Sequence, residues 1–109
     1  MFIATEIAMQ LVAAVRPIAE LTQPRDKDLA GQMRRAASSA ALNTAEGGRR
    51  VGGDRHHAFR IASGEAAEAL VAARIAVASG YAPETALAPV RAAEDELQAV
   101  LYRLRNPRR

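Results

Sequence analysis

The polar residues that could do chemistry are few, and three of them stand out by type and spacing. Asn43 and Glu46 are three residues apart, which places both side chains on one face of a helix, and Glu68 lies on a later segment. A carboxylate pair such as Glu46 and Glu68 could support acid–base catalysis, but no nucleophile or oxyanion-binding loop accompanies it. We favour a structural interpretation, because a buried polar group without a partner costs roughly 1–3 kcal/mol and must be satisfied within the protein or between subunits. The predicted polar network comprises Arg34, Arg35, Ser39, Asn43, Glu46, Arg60 and Glu68.

Metal and thiol chemistry are not expected. The chain has no cysteine, so disulfides, thiolate metal sites and cysteine nucleophiles are excluded. His56 and His57 are adjacent and would point roughly 100° apart on a helix, whereas metal-binding pairs usually lie four residues apart. The Glu-x-x-His motifs of di-iron bundles do not occur. We predict no metal site, no cofactor and no catalytic residue.

A glycine-rich segment, residues 47–53, reads GGRRVGG. It lacks the order of glycine, lysine and serine or threonine that defines a Walker phosphate loop, and no strand precedes it. Two interpretations stay open. The segment is either a connection between two helices or a mobile basic loop that touches a phosphate backbone through Arg49 and Arg50.

Helices must position these residues. Of the 109 residues, 26 are alanine, which is the best helix former and a poor strand former. Apolar residues recur at spacings of three and four, and they predict helices at about residues 3–21, 28–46, 54–79 and 84–105. Asp26 or Asp28 is expected to cap the second helix and Asp54 the third. Gly47 and Gly48 are expected to end the second helix in a left-handed conformation, and Gly80 closes the third helix.

Four such segments with short connections predict an all-α protein, an up-down-up-down antiparallel four-helix bundle in a single domain over residues 1–109. The length is too short for an enzyme with separate cofactor and substrate domains. Alanines concentrate at residues 36–45 and 62–78, so we expect the second and third helices to pack closely.

Charge is unevenly distributed along the chain. Residues 34–60 carry six Arg and two acidic residues, and residues 101–109 carry four Arg and no acidic residue. In an up-down bundle both regions reach the same end, where they could contact nucleic-acid phosphates, or could be only a solvated charged end. With no Trp and four other aromatic residues, base stacking is excluded as the main activity. The candidate phosphate contacts are Arg49, Arg50, Arg55, Arg103, Arg105, Arg108 and Arg109.

The amino-terminal region is apolar, but it is interrupted by Glu6 and no basic region precedes it, unlike a signal peptide. The longest uncharged run there, residues 7–15, is far below the ~20 residues that span a bilayer. We expect a cytoplasmic protein with no membrane partner.

The segment QMRRAASSAALNTAEG, residues 32–47, resembles the RRA-x-x-S-x-x-x-N-x-A-E-G signature of a bacterial four-helix-bundle family first noticed as reading frames inside intervening sequences of 23S ribosomal RNA genes. Ile61, Ala62, Gly64 and Glu68 keep the family spacing after it. The matching signature positions are Arg34, Arg35, Ala36, Ser39, Asn43, Ala45, Glu46 and Gly47.

This resemblance implies an up-down bundle that assembles into a ring-shaped homopentamer. The family is also distantly similar to the accessory protein of diversity-generating retroelements, a basic pentameric bundle that engages nucleic acid and a reverse transcriptase. The implied partners are therefore further copies of the chain, RNA or DNA, and a partner protein.

Our leading hypothesis from the sequence is a non-enzymatic, homo-oligomeric and pentameric scaffold that binds RNA or DNA non-specifically through a basic rim. Self-association is also favoured because a small bundle has a poor ratio of core to surface. The alternatives are a protein-directed adaptor with no nucleic-acid role and an enzyme that uses Glu46 and Glu68.

Overall fold

The computed structural model describes residues 2–107, and these form four α-helices. The helices are α1 (Ile3–Thr22), α2 (Lys27–Gly48), α3 (Gly52–Ala78) and α4 (Leu87–Arg105), with a short 3-10 helix at Glu84–Ala86. No β-strand occurs between residues 2 and 107. The predicted all-α class is confirmed, and each predicted helix end lies within three residues of the observed one.

Contacts at the helix ends show how the four helices alternate in direction. The Phe2 ring, at the start of α1, stacks on the Phe59 ring of α3 with 6.3 Å between centroids, and it also packs against Gly48 at the end of α2. At the opposite end, Arg25 of the α1–α2 turn lies 5.3 Å from the ring centroid of Tyr81, in the α3–α4 connection. These contacts are those of an up-down-up-down bundle, with extents of 46 × 22 × 21 Å.

Two of the predicted helix ends have the expected chemistry. The Asp26 carboxylate accepts a hydrogen bond from the Leu29 N–H at 3.0 Å, which satisfies one of the free donors at the start of α2. Gly80 ends α3 with φ +80°, and the following Tyr81 N–H donates to the Ala76 carbonyl oxygen at 2.9 Å. This arrangement is a Schellman motif, in which glycine takes the left-handed conformation without steric cost.

Two other helix ends lie close to the predicted positions but differ in their chemistry. Helix α2 ends at Gly48, but neither Gly47 nor Gly48 has the positive φ that was predicted. The absence of a side chain makes room for Phe59 at Gly47 and for Phe2 at Gly48. Helix α3 begins at Gly52, so Asp54 lies inside its first turn, and no side chain caps this helix.

The fourth helix begins later than predicted. The 3-10 turn at Glu84–Ala86 precedes it, and regular α-helix starts at Leu87. Pro89 lies in the first turn of α4, where the backbone N–H groups have no partner within the helix, so a proline is tolerated.

The core combines large side chains on α1 and α4 with mostly small ones on α2 and α3, where Met33 and Phe59 are the largest fully buried side chains. Leu11, Ile18, Leu97 and Leu101 are fully buried. Helices α2 and α3 make the most extensive helix–helix contact, as the sequence predicted. Alanine lines this contact, and its small side chain lets the two backbones approach closely. The buried alanines of α2 and α3 are Ala30, Ala36, Ala37, Ala40, Ala41, Ala58, Ala62, Ala66, Ala69, Ala72, Ala73 and Ala76.

We expect Gly47→Ala to lower the free energy of unfolding by about 1–3 kcal/mol, because the new Cβ would overlap the Phe59 ring. Gly53→Ala is the matched control, since no atom lies within 4 Å of a Cβ there. Urea denaturation at one protein concentration compares the two variants. Equal stabilities would contradict the tight contact between Gly47 and Phe59.

We expect Asp26→Ala to destabilise the protein by about 1 kcal/mol, through loss of the cap on α2. Asp28→Ala removes the same charge two residues later without removing a cap, so its effect should be smaller. Thermal denaturation measures both variants, with a change in Tm of roughly 4–8 °C per kcal/mol for a domain of about this size. A larger drop for Asp28→Ala would show that charge, rather than the cap, matters.

Candidate functional site

The structure brings arginines from three parts of the chain to one end of the bundle. This end contains the α2–α3 connection, the first turns of α3 and the last turn of α4. We call it the basic end and define it by Arg49, Arg50, Arg55, Arg103 and Arg105.

The register between α3 and α4 places the α4 arginines there. Gln98 donates from Nε2 to the Ser63 carbonyl oxygen at 2.8 Å, and Ser63 Oγ donates to Gln98 Oε1. The two helices are antiparallel and rise equally per residue. Arg105, seven residues after Gln98, therefore lies alongside His56, seven residues before Ser63, at the basic end. This polar contact between helices was not predicted, because neither residue type carries a spacing signal.

The guanidinium groups at the basic end differ in their surroundings. Arg50 forms ion pairs with Glu46 at 3.2 Å and, more loosely, with Asp54 at 4.0 Å, so two carboxylates partly offset its charge. These exposed pairs add at most about 1 kcal/mol to stability. The Arg55 guanidinium lies 5.2 Å from the Phe59 ring centroid, a cation–π contact that holds it over the end of the core.

The other arginines of the basic end are less engaged. Arg49 and Arg103 are exposed, and within residues 2–107 no ion pair joins Arg49, Arg103 or Arg105 to a carboxylate. Their charge is therefore available to a phosphate. Arg108 and Arg109, which were also predicted to contact phosphate, lie outside the described residues.

The predicted polar network is divided into separate local contacts. Asn43 donates from Nδ2 to the carbonyl oxygen (2.9 Å) and the hydroxyl oxygen (3.2 Å) of Ser39, one turn earlier on α2. Arg34 donates to Gln23 Oε1 at 2.7 Å. Within residues 2–107 no hydrogen bond or ion pair links these contacts, and Arg34 and Glu68 are both exposed. The interpretation that these residues meet between subunits stays a prediction.

Two further members of the predicted network, Arg35 and Arg60, are exposed as well. The Arg35 guanidinium folds back over Gly31, one turn earlier on α2. For Arg60, the described part of the chain shows no hydrogen bond or ion pair.

Glu46 and Glu68 are not brought together. Gly47 packs on Phe59, so Glu46 lies level with the first third of α3, and Glu68 lies nine residues beyond Phe59. At about 1.5 Å per residue this separates the two carboxylates by roughly 13 Å along the bundle axis. That distance exceeds the separation of about 5–9.5 Å at which paired carboxylates act on one bond in glycoside hydrolysis.

His56 and His57 are exposed at the start of α3. Between residues 2 and 107 there is no cluster of three or more His, Cys, Asp or Glu side chains that could hold a metal ion. In the same part of the chain, no helix combines the length and the apolar character needed to cross a membrane.

Two apolar surfaces on the outside of the bundle were not predicted from the sequence. One is a stripe on α3 that includes Ile61, Val71 and Ile75, whose exposed fractions are 38%, 49% and 47%. The other is a groove between α1 and α2, floored by Val12 and Val15. The residues of the stripe recur at spacings of three and four in the sequence, but the more numerous alanines on the opposite side of α3 mask this pattern.

Comparisons with known proteins agree with this architecture. A crystal structure of a protein of unknown function from the S23 ribosomal protein family of Bacteroides thetaiotaomicron superposes with a TM-score of 0.83. The match covers 94% of this chain and 98% of that one at 14% identity, which shows a shared fold. A search of curated proteins found no significant match. The family model described as 23S rRNA-intervening sequence protein matches residues 2–103, and the chain therefore belongs to that family.

Proposed function

We propose that this protein is a non-enzymatic, homo-oligomeric scaffold that contacts the phosphate backbone of RNA or DNA through its basic end. One observation carries the proposal: the α2–α3 connection, the start of α3 and the end of α4 bring their arginines to one end of the bundle. The guanidinium group suits this role, because its planar donors match the geometry of phosphate oxygens.

Recognition through phosphate rather than through bases fits the aromatic residues of the chain. Phe59 is fully buried and Phe2 is half-buried against it, so these two rings serve the core. Tyr102, near the end of α4, is 61% exposed and is the one exposed Phe or Tyr ring among residues 2–107. A single ring supplies little stacking, so we propose binding that is independent of base sequence and steeply dependent on salt.

Self-association would strengthen binding to nucleic acid, because each copy in the assembly contributes another basic end. We propose a pentameric ring, in line with the family resemblance, and the apolar surfaces left outside the protomer support self-association. Large apolar side chains are exposed on α1, α2 and α3, among them Met9 (49%) and Leu42 (71%). Large exposed apolar patches mark interaction sites in soluble proteins.

A protein-directed adaptor is the second candidate. The same apolar surfaces favour it, because they could hold another polypeptide instead of a second copy. Capture of a partner protein that resists both nuclease and high salt would favour the adaptor over the nucleic-acid scaffold.

We expect micromolar protein to raise the fluorescence anisotropy of a labelled single-stranded RNA of about 30 nucleotides at low salt, with an affinity that falls steeply as KCl is added. Arg49→Ala combined with Arg103→Ala should weaken binding at least tenfold and reduce the salt dependence, because both exposed charges lie at the basic end.

The matched control combines Arg25→Ala with Arg91→Ala, which removes the same charge at the opposite end of the bundle. This variant should bind RNA like the unaltered protein. Absence of binding at low salt, or equal weakening by both double variants, would contradict a role for the basic end.

We expect light scattering coupled to size-exclusion chromatography to give a mass close to five times the protomer mass of 11.6 kDa. The measurement is made over a range of protein concentrations and at high salt, so that bound nucleic acid does not contribute. A monomer mass throughout would remove self-association from the proposal.

A further inference from the structure

We infer that a second copy of this chain packs its third helix into the groove between α1 and α2 of the first. The inference rests on the proposed self-association and names the surfaces that would form it. The two surfaces differ, so the contact is of the head-to-tail kind that produces a ring when its rotation closes.

The first surface is a stripe on the outside of α3, which we call the α3 seam. Its residues are spaced by three and four along the helix, the pattern of a helix that packs against another helix. All of them are exposed in the protomer. The α3 seam consists of Ile61, Gly64, Glu68, Val71, Ile75 and Ala78.

This seam makes α3 apolar on two sides. Its inner side carries the buried alanines and Phe59, and its outer side carries three large aliphatic residues of the seam. A helix that is apolar around most of its circumference is normally buried on most of its circumference. The protomer covers only the inner side, so the outer side is left for another molecule.

Gly64 gives a second, independent indication. It lies in the interior of α3, where glycine is less stable than alanine by roughly 0.5–1 kcal/mol, and a Cβ there would meet no atom within 4 Å. Nothing in the protomer requires glycine at this position. A closely approaching helix backbone from a second copy would require it.

The second surface is concave and complements the seam in shape and charge. Val12, Val15 and Ala37 line the α1/α2 groove, and Met9 lies at one end of it. Arg16 and Arg34 lie at the other end. The groove therefore offers an apolar floor for Ile61 and a positive charge, Arg34, that faces no carboxylate in the described residues, whereas Arg16 already pairs with Glu20 at 3.5 Å.

Glu68 is the carboxylate of the seam, and it fits this groove. It is exposed, and within residues 2–107 it makes no ion pair or hydrogen bond. Arg34 has only an uncharged partner, Gln23, in the same part of the chain. Arg34 and Glu68 form no contact with each other in one protomer, and a contact between copies would bring them together.

The spacing along the bundle also fits this contact. Gly47 packs on Phe59. Glu68 lies nine residues (about 13 Å) beyond Phe59 along the bundle axis, and Arg34 lies thirteen residues (about 20 Å) beyond Gly47. Long side chains from neighbouring copies can bridge the remaining difference of about 6 Å. Ile61 lies seven residues (about 10 Å) from Glu68, and Met9 lies the same distance from Arg16, so the apolar and charged parts of the seam meet the corresponding parts of the groove together.

The charge pair is tested by exchange. Arg34→Glu and Glu68→Arg should each raise the protein concentration at which the assembly dissociates at least tenfold, measured by light scattering or sedimentation. The double variant should return this concentration to within about threefold of the original, because the pair is restored with reversed polarity. Circular dichroism confirms that every variant stays helical.

A steric test does not depend on charge. Gly64→Leu should leave the protomer helical and at least as stable, since the space around Gly64 is open, but should abolish assembly. Ala99→Leu adds the same side chain at an exposed position on α4 and should leave assembly unchanged.

The results separate this inference from the proposed function. An unaltered protein that is monomeric overturns both the self-association and its interface. An oligomer that is insensitive to Arg34→Glu, Glu68→Arg and Gly64→Leu overturns the interface alone. Rescue of Glu68→Arg by Arg74→Glu instead of by Arg34→Glu would indicate two antiparallel α3 helices in contact, and it would overturn the groove.

Discussion

The close approach of α2 and α3 is the constraint on which the rest of the structure depends. Alanine on both helices lets the backbones come together, and Gly47 continues this approach to the end of the bundle, where it accommodates Phe59. Phe59 in turn supports Phe2 and carries Arg55 over its ring. The geometry of the basic end is therefore set by packing beneath it.

Small core side chains have a consequence for the outside of the molecule. An alanine-lined contact removes less apolar surface from water per residue than one lined with leucine, so a bundle of this length has little hydrophobic stabilisation in reserve. Several large aliphatic side chains remain exposed, including Leu42 and the three on the α3 seam. Burial of these side chains between copies would supply stabilisation that the protomer lacks.

The charged side chains also lie mainly on the outside of the molecule. Each of the three ion pairs within residues 2–107 joins residues one turn apart on an exposed surface, and such pairs contribute little to folding. Uncharged polar contacts lie deeper, such as the part-buried pair of Gln98 and Ser63 and the buried Thr22 and Thr44 hydroxyls, which donate to carbonyl oxygens of their own helices. Most guanidinium groups thus remain at the surface, where they can serve partners.

The sequence by itself determined the all-α class, the approximate helices, the Asp26 cap and the end of α3 at Gly80, because alanine content, residue spacing and cap chemistry act locally. It did not distinguish a glycine that takes a left-handed conformation from one that makes room for a ring, so the conformation predicted for Gly47 and Gly48 was wrong. Only the tertiary structure separated Glu46 from Glu68, paired Ser63 with Gln98 and left the α3 seam uncovered. These outcomes depend on the register and rotation of one helix against another, which arise from packing between residues distant in sequence.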